Sequence, residues 1–151
     1  MASEEATMGS EGVRPGRWYL RCAYQSAPNE VLGWISGGWT DNQYITVSAD
    51  KGGAWPIDFP LYAYGGETFL KNSEHDWYDG ADGDDKGGDA RWRYWNRARA
   101  IIWDTPGAMT STISLKGLPN VKLTKPSSGK GWAVWSASSP ETTLLLTWDR
   151  W

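Results

Sequence analysis

Two short markers recur along this chain at nearly the same interval, and that recurrence restricts its architecture more than any other feature. A leucine followed by a basic residue occurs at Leu20-Arg21, Leu70-Lys71 and Leu115-Lys116, at intervals of 50 and 45 residues. An apolar residue followed by aspartate occurs at Ile57-Asp58, Trp103-Asp104 and Trp148-Asp149, at intervals of 46 and 45. Self-similarity at such a period marks repeated supersecondary units that bury their apolar faces against one another. The middle unit shows its parts most fully: an apolar run at Phe69-Leu70, an acidic glycine-rich loop, an aromatic run at 92–95, and a close on Ile101-Ile102-Trp103-Asp104.

Each unit reads as four short strands. Alternating apolar and polar residues, β-branched enrichment and Gly, Pro or Asn punctuation predict strands over 18–23, 31–36, 44–48 and 54–59 in the first unit. The second unit has 68–71, 76–78, 90–95 and 98–103, and the third 112–116, 121–124, 131–136 and 142–148. Pro56 and Pro60 bound the fourth strand and confine it to an edge or an irregular stretch. No long helical period interrupts this pattern, so the expected class is all-β.

The chain's 151 residues suit one domain. Residues 1–12, polar and acidic, read as a disordered tail, and residues 13–151 as a single domain with repeats at about 13–60, 61–104 and 105–151. That start lacks the basic and apolar regions of a signal peptide, which predicts a cytoplasmic protein or one released by an unconventional route. The single cysteine, Cys22, has no intramolecular partner and reads as a small buried hydrophobe. A formal charge of −3 argues against phosphate-driven nucleic-acid binding, which needs a basic excess.

Three units of about 45 residues, each of four strands and opening near a Leu-basic pair, resemble the β-trefoil, the fold of ricin-B-like lectins, fungal fruiting-body lectins and fascin-like domains. The resemblance spans about residues 13–151 and rests on repeat architecture. The Gln-x-Trp signature of the ricin-B group is absent, its closing positions reading Ile57-Asp58, Trp103-Asp104 and Trp148-Asp149. A β-prism is the alternative three-fold architecture.

The aromatic content carries the functional reading. Twelve Trp and seven Tyr against two Phe favour rings with a polar handle, suited to places dry at one end and wet at the other. Trp92-Arg-Tyr-Trp95-Asn96 and Trp132-Ala-Val-Trp135-Ser136 share a Trp-x-x-Trp spacing, and the first unit, which lacks the exact pair, carries Trp34, Trp39, Asp41 and Asn42 in a comparable place. Residues three apart on a strand face opposite sides, so one Trp of each pair can anchor the core while the other is exposed. An exposed indole beside Asp or Asn suits a sugar, the ring covering its C–H face and the polar group meeting its hydroxyls. The expected ligand-binding residues are therefore Trp39, Asp41, Asn42, Trp92, Trp95, Asn96, Trp132 and Trp135. Large rings also fill cores, and that reading competes at each position.

These features predict a non-catalytic lectin, multivalent through repeated sites, with glycans or glycoconjugates as partners and homo-oligomerisation left open. No cofactor, metal or catalytic group is expected. The loop 79–89 has the oxygen ligands a calcium ion takes but not the EF-hand spacing, and reads as a solvated turn. His75 lies between Glu74 and Asp76 with no nucleophile motif, and reads as a surface residue. Arg91, Arg93, Arg97 and Arg99 alternate with rings and read as a solvent face paired with the acidic loop. The competing functions are a membrane-binding or pore-forming β protein, using interfacial Trp and Tyr, and a protein-protein module such as a protease inhibitor.

Overall fold

The computed structural model describes residues 15–37, 40–81 and 87–150. The chain is all-β, with two one-turn 3-10 helices, and its strands wrap into a nearly closed barrel. The barrel pairings succeed one another round a ring. Gly16–Tyr24 lies against Ile57–Phe59, with Trp18 opposite Ile57, and Ile57 lies opposite Asn72 of Lys71–Asn72. Just upstream, Thr68 of Glu67–Phe69 faces Ile101, and Ile101–Trp103 pairs with Ile113–Leu115. Thr110–Ser111 meets Leu144–Arg150 with Ser111 opposite Leu146, and Leu144–Arg150 returns to Gly16–Tyr24 with Leu20 opposite Trp148.

Side-chain alternation explains the barrel's interior. Along the first strand Trp18, Leu20 and Cys22 are buried while Tyr19 and Arg21 are only half-buried, which is the period of two that a pleated strand imposes. Ile57, Ile101 and Leu146 are fully buried. Two residues on from each, Phe59, Trp103 and Trp148 converge, with Trp103 stacked on Trp148 at 5.4 Å and Phe59 edge-on to it at 4.9 Å. These positions realign both sequence markers. In the ladders Ile57 corresponds to Ile101 and Leu146, so Phe59 rather than Ile57 answers to Trp103 and Trp148. By the same registers Ile113 rather than Leu115 answers to Leu20 and Leu70. A slip of two residues keeps the same face inward, which is why the markers still recur.

Three hairpins leave the barrel: Ala27–Ser36 with Thr46–Ser48, Trp77–Gly80 with Arg91–Arg93, and Leu118–Thr124 with Val134–Ala137. They meet in a triangle of backbone hydrogen bonds. The Ile45 N–H donates to the Ala90 carbonyl at 2.8 Å, the Ala90 N–H to Ala133 at 3.0 Å, and the Ala133 N–H to Ile45 at 2.9 Å. All three residues are fully buried, and their backbone groups would be costly to leave unpaired there.

Several expected strand bounds shift for local reasons. The strand predicted over 44–48 is broken at Ile45, whose backbone leaves for the triangle. The strand predicted over 90–95 stops at Arg93, and Trp95–Arg97 is a 3-10 turn. The fourth strand begins only at Ile57, after a 3-10 turn at Lys51–Gly53 capped by the Asp50 carboxylate. A hairpin absent from the sequence reading joins Tyr62–Tyr64 to Glu67–Phe69 across Gly65-Gly66, whose φ values of 62° and 80° suit a two-residue turn that glycine accepts without strain. The predicted tail at 1–12 lies outside the described residues.

Candidate functional site

A wide cleft is built where the second hairpin returns to the barrel. After Arg93 the chain closes a 3-10 turn, the Arg97 N–H donating to the Tyr94 carbonyl at 2.9 Å and the Ala98 N–H to Trp95 at 3.0 Å. The turn is clamped from below. The Ala81 N–H donates to the Arg97 carbonyl at 3.1 Å, and a side chain on Gly80 would come within 2.3 Å of that oxygen. Trp95 projects from this turn, 41% exposed. Its ring meets Phe69 at 4.9 Å, Tyr78 at 5.1 Å, Tyr64 at 5.3 Å and Tyr62 at 5.9 Å, each edge-on, the geometry aromatic quadrupoles favour.

The cleft beside it encloses about 580 Å³, lined by Glu67, Phe69, Trp95, Leu115 and Lys116 among others. Lys116 Nζ donates to Glu67 Oε2 at 2.7 Å across the rim. Both side chains are partly exposed, so the pair contributes little to stability, within about 1 kcal/mol. Behind the cluster, Lys71 Nζ lies 4.7 Å from the Tyr62 ring centre and bridges Asp58 and Asp76 at 3.5 and 3.4 Å. Burial would lower the Lys71 ammonium, but Asp58, Tyr78 and Asp76 outweigh it and hold it above its ordinary value. Burial pushes the Tyr78 hydroxyl up in turn.

The expected ligand residues divide. Trp92 and Trp135 are buried, and both indole N–H groups are spent inside the fold. Trp92 Nε1 donates to the Ser36 carbonyl at 3.0 Å, and Trp135 Nε1 donates to Asp79 Oδ1 at 2.8 Å. Neither offers a face to a ligand, which corrects their assignment as binding residues. Their partners at a spacing of three do face outward, Trp95 exposed and Trp132 half-buried. Asp41 and Asn42 gather at the second hairpin, where Asp41 Oδ1 accepts from Arg93 Nε at 3.0 Å. Asn42 takes φ of 70° and its N–H donates to the Trp92 carbonyl at 2.8 Å. A shallow hollow of about 380 Å³ lies there, lined by Gly37, Asn42, Gln43, Tyr44 and Thr46. Trp39 lies outside the described residues. Asn96 is exposed on the same turn as Trp95.

Trp132 belongs to a separate cluster next to the backbone triangle. Its ring stacks on Tyr44 at 4.0 Å and 5°, and its Nε1 donates to Asp89 Oδ1 at 2.9 Å. Arg91 lies 4.4 Å from the centre of the same Tyr44 ring. Two groups that near one ring must take opposite faces, so Tyr44 is sandwiched. The Trp132 hydrogen bond, helped by Lys130 and Arg91, holds the Asp89 carboxyl below its ordinary value against burial.

The arginines also divide. Arg91 and Arg97 are partly or well exposed, but Arg93 and Arg99 are buried, which corrects their reading as one solvent face. Among the described residues no group of three or more His, Cys, Asp or Glu could hold a metal ion. Asp82, Asp84 and Asp85 of the candidate calcium loop lie outside them. His75 is exposed and packs against Trp55 at 5.1 Å. Cys22 is buried, and burial pushes its thiol far up, as suits a packing residue.

Sequence reasoning missed Tyr62, Tyr64, Phe69, Glu67 and Lys116. A signal was present, since Tyr-Ala-Tyr-Gly-Gly-Glu-Thr-Phe is an alternating pattern split by a Gly-Gly turn. Among the described residues no helix is long and apolar enough to cross a membrane. No protein-family model matches the chain, and no curated protein matches it.

Proposed function

We propose that this chain is a β-trefoil protein that binds carbohydrate in the cleft at Trp95. Support for the trefoil comes from the ring of six barrel pairings, the three hairpins and the Ile45–Ala90–Ala133 triangle, whose members are 45 and 43 residues apart. A three-fold arrangement of equivalent units would produce each of these. The observation that carries the binding reading is the half-exposed Trp95 indole, in T-shaped contact with four rings, beside a cleft lined by Glu67 and Lys116.

That arrangement suits a sugar. An immobilised ring face covers axial C–H groups at little entropic cost, while a carboxylate and an ammonium on flexible stems reach vicinal hydroxyls. The site is shallow, so one sugar would bind at micromolar to millimolar level, about 4 to 8 kcal/mol. A glycan array, followed by Trp fluorescence titration of any hit, tests the reading. Silence across a broad panel, or a hit whose affinity is unchanged in Trp95→Ala, refutes it.

A second reading rests on a different aspect of the same surface. Tyr64 and Tyr94, 62% and 57% exposed, flank Trp95, and exposed aromatic rings partition to the bilayer interface. Flotation with glycan-free liposomes separates the two readings, since a lectin needs the sugar and an interfacial binder does not.

A further inference from the structure

The turn that carries Trp95 has a counterpart after each of the other two hairpins, fixed by one repeated backbone hydrogen bond. The Gly53 N–H donates to the Asp50 carbonyl at 3.0 Å, the Arg97 N–H to Tyr94 at 2.9 Å and the Thr142 N–H to Ser139 at 3.1 Å. The residue after each acceptor is Lys51, Trp95 or Pro140. The supporting residues correspond too. Trp95 rests on Phe69 and Tyr78. Phe69 precedes Leu70 as Tyr19 precedes Leu20 and Thr112 precedes Ile113. Tyr78 precedes Asp79, whose carbonyl accepts from Arg99 as that of Ile35, after Trp34, accepts from Trp55. The Lys125 N–H donates to the Thr142 carbonyl as Ala81 does to Arg97, which puts Lys122 in the place of Tyr78.

The three places are filled differently. In the first unit Lys51 Nζ lies 5.3 Å from the centre of the Tyr19 ring and 3.2 Å from Asp149 Oδ2, the oxygen that accepts from Trp34 Nε1 at 2.9 Å. In the third, Asp104 accepts from Thr112 Oγ1 at 2.8 Å, Ser114 Oγ at 2.6 Å and Lys122 Nζ at 2.9 Å. Each of these places is thus gathered round an aspartate whose partners come from the chain itself. In the second unit Pro60 stands where Asp104 and Asp149 do, because Phe59 answers to Trp103 and Trp148. No carboxylate draws that wall into a polar network, and Trp95 stays 41% exposed.

We propose that, of these three corresponding places, only the one at Trp95 takes a sugar, so that each chain binds a single glycan despite its repeats; this rests on the carbohydrate reading above. A sugar needs an open ring face with polar groups free beside it. Pro140 brings no aromatic face, and Lys51 lies over the Tyr19 ring. To enter either place, a sugar must displace an ammonium from a carboxylate, trading charge-assisted hydrogen bonds for the weaker ones its hydroxyls offer. One site per chain also removes the avidity that repeated sites would supply.

The test uses the full-length protein and, as probe, the oligosaccharide giving the strongest glycan-array signal, with native mass spectrometry counting the molecules bound per chain. The expected result is one molecule on the wild-type chain, none on Trp95→Ala, and wild-type affinity in Lys51→Ala and Lys122→Ala. The wild-type count decides even where Trp95→Ala loosens the ring cluster. Two or three molecules per chain, a molecule retained by Trp95→Ala, or lost affinity in either lysine variant overturns the proposal while the chain remains a lectin. Silence across the array overturns it together with the carbohydrate reading.

Discussion

Asp79 and Arg99 face each other at 2.9 Å inside the protein, both buried, with the Trp135 indole N–H completing the carboxylate at 2.8 Å. The Arg99 N–H also donates to the Asp79 carbonyl, as the Trp55 N–H does to Ile35 in the first hairpin. The uncharged pair Ile35 and Trp55 therefore occupies the corresponding place there. Burial pushes the Asp79 carboxyl up against the Arg99 and Trp135 interactions that pull it down, so this ion pair carries a real desolvation cost.

Breaking that pair singly should be far worse than removing it whole. Arg99→Met leaves a buried carboxylate without a counter-ion and should cost about 3 to 5 kcal/mol in urea unfolding. The double variant Asp79→Leu with Arg99→Met should recover part of that loss, the buried Trp135 N–H being left without its acceptor. If the double variant is no more stable than Arg99→Met, the cost lies in packing rather than charge.

Trp95→Ala should reduce glycan affinity at least about 10-fold and cost about 2 kcal/mol of stability, below the range for a fully buried ring. Trp132→Ala should leave affinity unchanged, because the Trp132 face is stacked on Tyr44 and its N–H is held by Asp89. Parallel titrations of one array hit check both.

Acid should weaken the fold through Asp89 and Asp149. Burial alone would raise the Asp149 carboxyl, but the Trp34 indole N–H and Lys51 hold it below its ordinary value of 3.8, as Trp132 and Lys130 do for Asp89. A depressed carboxyl favours the ionised native state, so its contribution is complete above the unfolded value and is lost as pH falls through the folded one. Urea midpoints should fall from about pH 6 to about pH 3, and Asp149→Asn should flatten that slope. An identical slope in the variant would count against the assignment.

Gly80→Ala should cost about 1 to 3 kcal/mol, because the new methyl meets the Arg97 carbonyl that anchors the Trp95 turn. Gly131→Ala, where nothing lies within 4 Å, should stay within about 0.5 kcal/mol of wild type. Melting curves of the two, with glycan titration of Gly80→Ala, also report whether that turn shapes the cleft.

Cys22 should be silent toward a thiol reagent in the native state and react fully in urea. It is buried with its thiolate disfavoured, so modification should follow unfolding. Immediate native-state labelling would contradict the packing described.

What the sequence by itself determined is the periodic part of this protein. Gly and Pro punctuation and alternating apolar residues specify short strands and place Trp18, Leu20 and Cys22, and then Leu70, on an inward face. These are local properties, set by the pleat and by backbone sterics, and they survive a register error of two. Tertiary structure alone decided which aromatic rings are available. Trp92 and Trp95 have the same chemistry in the chain, yet a turn closing after Arg93 exposes one, while Ser36, 56 residues away, fixes the other inside. The cleft depends likewise on Tyr64 and Phe69 arriving beside Trp95 from another hairpin, and the Asp79–Arg99 pair on a barrel strand returning to a hairpin. Such contacts join residues far apart in sequence, and no local pattern encodes which partner arrives.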